Sequence, residues 1–364
     1  MNSLGFNKSE KDTKVVVAMS GGVDSSVAAV MLKKQGYDVI GVTLRLYNNS
    51  DVAKSKTCCA GKDIQDAKSV AQKYSFEHLV LDYQEKFFDS VINNFVDSYS
   101  LGETPLPCVR CNQTVKFSDL LGEAKKIGAD ALATGHYAIR RGALDNASLH
   151  KAKDFSKDQS FFLFATLQEQ LNYVRFPLGD YTKSEIRKLA QKYELDVSDK
   201  PDSQDICFVT SSSYRDLVKN LNPTVNKKGI IYDIDKNILG THDGITNFTI
   251  GQRKGIGISG SIEPLYVIDI NKSQNSITLG TKEKLKKNVI NFQNINWLGG
   301  NILPQKLDCS AKIRSTQEDL PGILNINSNH GTFTFEKDLD NTSPGQACVF
   351  YKNDQLLGGG WITA

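Results

Sequence analysis

Val15-Val16-Val17-Ala18-Met19-Ser20-Gly21-Gly22-Val23-Asp24-Ser25-Ser26 decides the architecture of the first half of this chain. An apolar run ends in a Ser-Gly-Gly-x-Asp-Ser string, and a helical pattern follows from Ser25 to Gln35, where Gly36 supplies a stop. The two glycines can take φ > 0 and let backbone N–H groups approach a ligand, while Ser20 and Ser25 add hydroxyls at the helix N-terminus. That is the chemistry of a phosphate cradle. The plainer alternative is a strand-to-helix turn capped by Asp24 or Ser25. A Walker loop is excluded, because the only Gly-Lys pair, Gly61-Lys62, lacks a glycine five positions before Gly61.

Outward from this string, strand-like runs at Val39–Leu46, Glu77–Leu81 and Ala129–Thr134 alternate with helical patterns at Ile64–Tyr74, Phe87–Tyr99 and Phe117–Ile127. Such alternation predicts an α/β domain with a parallel sheet covered on both faces. Past Tyr214 the periodicity changes to short alternating runs at Gly229–Ile234, Leu265–Ile270, Ser276–Leu279, Ala311–Ile313, Gly331–Phe335 and Ala347–Tyr351. Asn, Asp, Gly and Ser clusters bound many of them, as in an antiparallel barrel or sandwich. The expected division is a catalytic domain over 1–208, a small central linker domain over 209–275 and a C-terminal antiparallel β-barrel over 276–364.

The 44 basic residues exceed the 41 acidic ones by three, so net charge decides nothing about nucleic acid; any basic surface must come from local clustering. Seven cysteines are an odd and sparse set, which argues against a secreted disulfide scaffold and for reduced thiols in a cytosolic enzyme. The stretch from Met1 to Lys14 lacks the apolar core of a signal peptide, and no apolar run approaches the roughly 18 residues of a membrane span. A soluble cytoplasmic protein is expected.

Cys108 and Cys111 lie in Pro105-Leu106-Pro107-Cys108-Val109-Arg110-Cys111-Asn112, a polar, proline-rich loop pattern in which Arg110 could lower a neighbouring thiol's pKa. Cys207, between Ile206 and Phe208, reads on its own as a small buried core residue. Cys58 and Cys59 are adjacent, and Cys309 and Cys348 fall in β-like runs; none of these four is given a role. Gly255-Ile256-Gly257-Ile258-Ser259-Gly260 matches a dinucleotide pattern, but the flanking residues support neither a preceding strand nor a following helix, so it is read as a loop.

Six strings carry a resemblance. They are Ala18 to Ser26, Cys111-Asn112 with Lys116-Phe117, Thr134-Gly135-His136-Tyr137, Lys157-Asp158-Gln159-Ser160, Asp205-Ile206-Cys207-Phe208 and Gly251-Gln252-Arg253-Lys254-Gly255. The first is similar to the PP-loop of the ATP pyrophosphatases, and the set resembles the tRNA-specific 2-thiouridylases from about Lys14 onward. The resemblance implies an adenine nucleotide alpha hydrolase-like first domain that uses ATP and Mg²⁺ to adenylate uracil O2 of a wobble uridine, with pyrophosphate released. Sulfur would come from a persulfide on Cys207, with Cys111 as the nucleophile that ends in a transient disulfide with it. ATP contacts are implied at Ala18, Met19, Ser20, Gly21, Gly22, Val23, Asp24, Ser25, Leu44 and Gly135, with Asp24 organising the loop and a metal.

Implied tRNA contacts are Pro105, Leu106, Pro107, His136, Lys157, Asp158, Gln159, Arg314, Ser315 and Gln346, with Lys312 on the same strand as Arg314. His136 is equally readable as a satisfied structural histidine. The family pattern further implies a monomer and a persulfide-sulfur donor protein of a sulfur relay. Many members carry aspartate where this chain has Cys108. Cys108, Cys111 and Cys207 are therefore either three ligands of a 4Fe-4S cluster with one open iron, or a persulfide pair with a spare or resolving thiol. The rival functions are another PP-loop amidating or ligating enzyme and a non-catalytic RNA-binding protein.

Overall fold

The computed structural model describes residues 1–47, 59–202, 206–209, 213–225, 227–258, 263–340 and 342–363. Cys58, Ser203 to Asp205 and Ser259-Gly260 lie outside them, as does the side chain of Cys59. The chain forms two compact units, one of residues 1–90, 108–211 and 354–357, the other of residues 91–107, 212–353 and 358–364.

In the first unit, β1 (Lys14–Ala18), β2 (Asp38–Arg45), β3 (Glu77–Asp82), β4 (Ala131–Thr134), a hairpin of β5 (Ile139–Gly142) and β6 (Ala147–His150), and β7 (Val174–Arg175) follow in chain order. Five of them form one sheet in the order β3-β2-β1-β4-β7, parallel at every pairing. Val15, Val16 and Val17 are all fully buried, which is why β1 reads as an uninterrupted apolar run: a strand covered on both faces has no polar side to alternate with. Helices α1 (Val23–Lys34) and α2 (Cys59–Lys73) are joined by α3 (Lys183–Lys192), which the strand-and-helix reading did not anticipate. Its N-terminus is a capping box, in which Glu185 N donates to Thr182 Oγ1 and Thr182 N donates back to Glu185 Oε2. Val27 and Val30 of α1, Val70 of α2 and Ile186 of α3 share a core with β1 and β2.

From β1 the chain moves outward through β2 to β3, then returns to place β4 on the other side of β1. The strand order therefore reverses at the carboxyl end of β1, the position where open α/β sheets hold ligands. The β5–β6 hairpin gains a further strand from Gln355 and Leu356, which pair with His150 and Leu149.

The second unit holds β8 (Gly229–Tyr232), β9 (Ile238–His242), β10 (Tyr266–Asn271) and β11 (Ser276–Gly280) in the order β10-β11-β8-β9 around Ile231, Phe248, Val267 and Ile277. The β11–β8 pairing is parallel, a departure from the all-antiparallel pattern expected of this half. Six further strands, β12 (Lys287–Trp297), β13 (Lys306–Lys312), β14 (Leu320–Asn327), β15 (His330–Leu339), β16 (Ala347–Lys352) and β17 (Gln355–Ile362), run in the order β12-β15-β14-β13-β16-β17. Pairing of β12 with β17 closes them into an antiparallel barrel without free edges. Residues 251–258 form turns and irregular chain with no helix, as expected for the glycine-rich decoy.

Candidate active site

The string Ser20 to Ser25 occupies the turn between β1 and α1. Gly21 takes φ +72°, and a Cβ there would lie 2.2 Å from the Asp63 carbonyl oxygen, so neither the backbone angle nor the space admits a side chain. Gly22 does not use a positive φ; it is the N-cap of α1 at φ −90°, with no side-chain cap. Neither Asp24 nor Ser25 caps the helix. Ser25 Oγ instead accepts from Ser20 N at 3.1 Å and lies 3.3 Å from Ser20 Oγ. The first-turn N–H groups of α1 are thus left without a side-chain acceptor, the condition under which a helix N-terminus takes an anion.

Asp24 is held from two sides. Lys183 Nζ lies 2.7 Å from its Oδ1 and 2.8 Å from its Oδ2, and the Tyr137 hydroxyl donates to Oδ1 at 2.7 Å. Burial and the adjacent carboxylate push the Tyr137 phenol up, so it stays a donor. Both Asp24 oxygens are thus engaged by the Lys183 ammonium, which ties the loop to the start of α3. Lys183 also reaches Asp202 Oδ1 at 2.9 Å, and Asp202 takes Arg187 at 2.8 Å and Lys157 at 2.9 Å. Lys200 donates to the Gly21 carbonyl at 2.9 Å and to Asp63 and Asp66 at 2.5 and 2.8 Å. Lys183, Lys200 and Asp202 escaped sequence reasoning because each is an ordinary surface residue type with no motif around it.

Gly135 packs on the same turn: a Cβ at this position would sit 2.8 Å from Ser25 N. His136 is half-buried between Phe117 and Phe176, and its Nδ1 is 2.8 Å from Thr134 Oγ1. Burial, aided by Lys116, lowers its pKa to about 3, leaving a neutral ring. Lys157, Asp158 and Gln159 are all engaged inside the unit. Lys157 is on Asp202; Asp158 accepts from Ala152 N and Ser160; Gln159 Oε1 accepts from Tyr137 N at 2.9 Å.

Cys111 and Cys207, 96 residues apart, are brought close enough that the charge of Cys111 is felt at Cys207, with Cys108 and Lys116 in the same neighbourhood. Cys111 is buried at the end of a short helix (Pro107–Cys111) that continues as a π-helix from Asn112 to Leu120, a wider winding that recurs at functional sites. Cys207 is not the core residue its neighbours suggest. Phe208 is buried edge-on to Phe87, while Cys207 itself is an exposed residue, and the Tyr47 hydroxyl donates to the Cys207 carbonyl at 2.8 Å.

Crowding by protein atoms raises both thiols, Cys207 to about 12, although part of the Cys207 surface remains open. The cation opposing this is Lys116. The thiol-lowering role expected of Arg110 does not hold: its Nη1 donates to Gln113, beside an open cleft of about 480 Å³ also lined by Lys86 and Asp119. Among the described residues no three His, Cys, Asp or Glu side chains are arranged to hold a single metal ion.

In the second unit, Gln346 Nε2 donates to the Thr104 carbonyl at 2.9 Å, and Thr104 N donates to the Pro344 carbonyl at 2.8 Å. The segment ahead of Pro105-Leu106-Pro107 is thereby tied to the turn that carries Gln346. Lys312 departs from expectation: it is 8% exposed, with its ammonium over the Tyr351 ring, so it presents no charge on a strand face. Arg314 and Ser315 are half-buried. Leu44 lies at the carboxyl end of β2.

Residues 13–211 match the family model described as tRNA methyl transferase HUP domain, residues 216–281 its PRC-barrel domain, and residues 287–362 the aminomethyltransferase beta-barrel domain. The tRNA-specific 2-thiouridylase MnmA of Orientia tsutsugamushi (strain Boryong) is 51% identical over 362 residues, 99% of this chain and 98% of that protein. Its namesake from Rhodospirillum centenum is 48% identical over 371 residues, 100% of this chain and 94% of that protein. A solved 4-thiouridine synthetase–RNA complex with bound ATP is 19% identical, covering 58% of this chain and 50% of its own, at a TM-score of 0.36. Among the described residues no helix is long and apolar enough to cross a membrane. With about half of all positions identical from one end to the other, and three consecutive family models in register, the chain belongs to the tRNA-specific 2-thiouridylase (MnmA) family.

Proposed function

We propose that the protein is an ATP-dependent tRNA-uridine 2-sulfurtransferase acting on the wobble uridine, in three regions at 1–208, 209–275 and 276–364. The observation that carries this reading is the pairing of Cys111 with Cys207 in the unit that also holds the uncapped N-terminus of α1. An amidating or ligating enzyme has no use for two neighbouring thiols.

ATP lays its phosphates on the first turn of α1, with Ser20, Gly21 and Gly22 supplying donors and Leu44 and Gly135 bordering the nucleoside. Mg²⁺ accompanies the nucleotide as its counter-ion and is assigned no protein ligand. Uracil O2 attacks the α-phosphorus, and pyrophosphate leaves. The oxygen is then part of a good leaving group. The terminal sulfur of a Cys207 persulfide attacks C2, and AMP departs with the original oxygen. Cys111 thiolate next attacks Cys207 Sγ; the S–S bond to the substrate breaks, its electrons stay on the sulfur bound to C2, and a Cys111–Cys207 disulfide remains. An external dithiol reduces it before a donor protein reloads Cys207. Lys116 is the cation that favours the thiolate forms.

The target base leaves its stack to reach the thiols, with Pro105, Leu106 and Pro107 beside it and Arg314, Ser315 and Gln346 touching the tRNA. His136, Lys157, Asp158 and Gln159 reach the tRNA only after exchanging their present partners. Incubation with ATP, tRNA and a persulfide donor is expected to give pyrophosphate and thiolated tRNA together. Pyrophosphate release indifferent to tRNA, or full thiolation by Cys207→Ala, overturns the proposal.

A further inference from the structure

We infer that Lys183 is a positioning residue: it clasps the segment leading to Cys207 onto the nucleotide loop, so that the sulfur carrier is registered to the adenylated oxygen. The inference rests on the function just proposed and adds a residue pair, Lys183 and Asp202, to it. Lys183 is the first residue of α3, and its place is set before its side chain is considered. The Thr182–Glu185 capping box fixes the helix start, and Lys183 N donates to Asp154 Oδ2 at 2.9 Å. From there its side chain, only 11% exposed, brings the ammonium to Asp24 Oδ1, Asp24 Oδ2 and Asp202 Oδ1 at 2.7, 2.8 and 2.9 Å. An ammonium has three N–H donors. All three are spent on these carboxylate oxygens, so in this arrangement Lys183 bridges two loops instead of serving as a phosphate ligand.

The bridge is reinforced from the same helix face. Arg187, one turn on, reaches Asp202 Oδ1 at 2.8 Å and the Ser198 carbonyl at 3.0 Å. Two residues before Asp202, Lys200 grips the Gly21 carbonyl, Asp63 and Asp66. Positions 200 and 202 are thus each tied to the PP-loop, at Gly21 and at Asp24, and Cys207 follows five residues after Asp202. Plain stability is a poor account of this arrangement. Drawing a nearly buried ammonium and two carboxylates from water costs much of what their attraction returns, whereas fixing one loop against another is what such bridges do well. Reaction geometry repays it, because misplacing a nucleophile by about 1 Å costs on the order of a hundredfold in rate.

The test compares wild type, Lys183→Met, Asp202→Asn and the pair, scoring thiolated tRNA formed per pyrophosphate released. Each single change is expected to lower that ratio about tenfold, with the double no worse than the poorer single by more than about twofold, since both break one bridge. Lys183→Arg is expected to restore most of the ratio. Proportional loss of both products, an unchanged ratio or additive losses overturn the inference. A second readout needs no tRNA: diamide-driven formation of the Cys111–Cys207 disulfide, followed by peptide mass spectrometry, should slow about tenfold in Asp202→Asn. An unchanged rate there also overturns it. Absence of thiolation by wild type would instead defeat the proposed function, while the disulfide rate would still report on the bridge.

Discussion

Gly135 sits so near Ser25 that a Cβ on the glycine would lie 2.8 Å from the serine's backbone nitrogen. The residue after β4 therefore packs closely on the backbone of Asp24 and Ser25 in the first turn of α1. Gly135→Ala is expected to push the turn outward, at about 1–3 kcal/mol of overpacking. Denaturant unfolding should register the cost, and the KM for ATP should rise more than that for tRNA.

Cys111 and Cys207 both titrate above the ordinary thiol range, Cys207 at about 12, because the protein around them disfavours charge. Below that value the thiolate fraction grows about tenfold per pH unit. Iodoacetamide labelling of Cys207 should climb between pH 7 and pH 9 without a plateau. Lys116→Met should slow labelling of both thiols, while Arg110→Met should leave the rates within about twofold. Peptide mass spectrometry separates the sites.

His136 stays neutral in the folded protein down to about pH 3, whereas an unfolded histidine takes a proton near 6.5. Over that window the unfolded chain binds more protons, so stability falls as pH drops, by up to roughly 1.4 kcal/mol per unit for one group. His136→Asn keeps an acceptor near Thr134 and removes the titration. Its unfolding midpoint should depend less steeply on pH between 6 and 4 than the wild-type midpoint does.

Lys312 and Arg314 are neighbours in sequence with unlike roles. With Lys312 buried over Tyr351, Lys312→Met should leave the salt dependence of tRNA binding unchanged. Arg314→Ala should reduce the slope of log K against log salt by about 0.7 to 0.9, the counterion release of one phosphate. Filter binding across a salt series distinguishes the two.

The β1-loop-α1 unit was legible because three kinds of signal agree within a dozen residues: a doubly covered strand, a glycine turn and a helical period. The barrel was legible only in part. β12 runs Lys287–Trp297, but polar Asn and Gln alternate with Ile290 and Phe292, so the strand has the surface of a loop and the interior of a core. α3 was missed although Thr182 and Glu185 form a capping signature, because its apolar face is narrow, with only Ile186 and Ala190 buried. The site divided in the same way. Cys207 was picked out by its resemblance, against the apolar look of its neighbours. Lys183 and Asp202 depend on long-range geometry, which leaves no local mark: 159 residues separate Lys183 from Asp24.

The β5–β6 hairpin ends at His150, yet its third strand begins at Gln355. A ribosome adding about 5–20 residues per second needs on the order of 10 to 40 s to cover that interval. Throughout it, one edge of the nascent hairpin lacks this partner, so the first unit reaches its finished form only after the barrel strands that precede Gln355 have been made. Premature termination anywhere in the barrel should therefore yield a chain whose first unit is also incomplete, giving proteases an exposed edge by which to recognise unfinished copies.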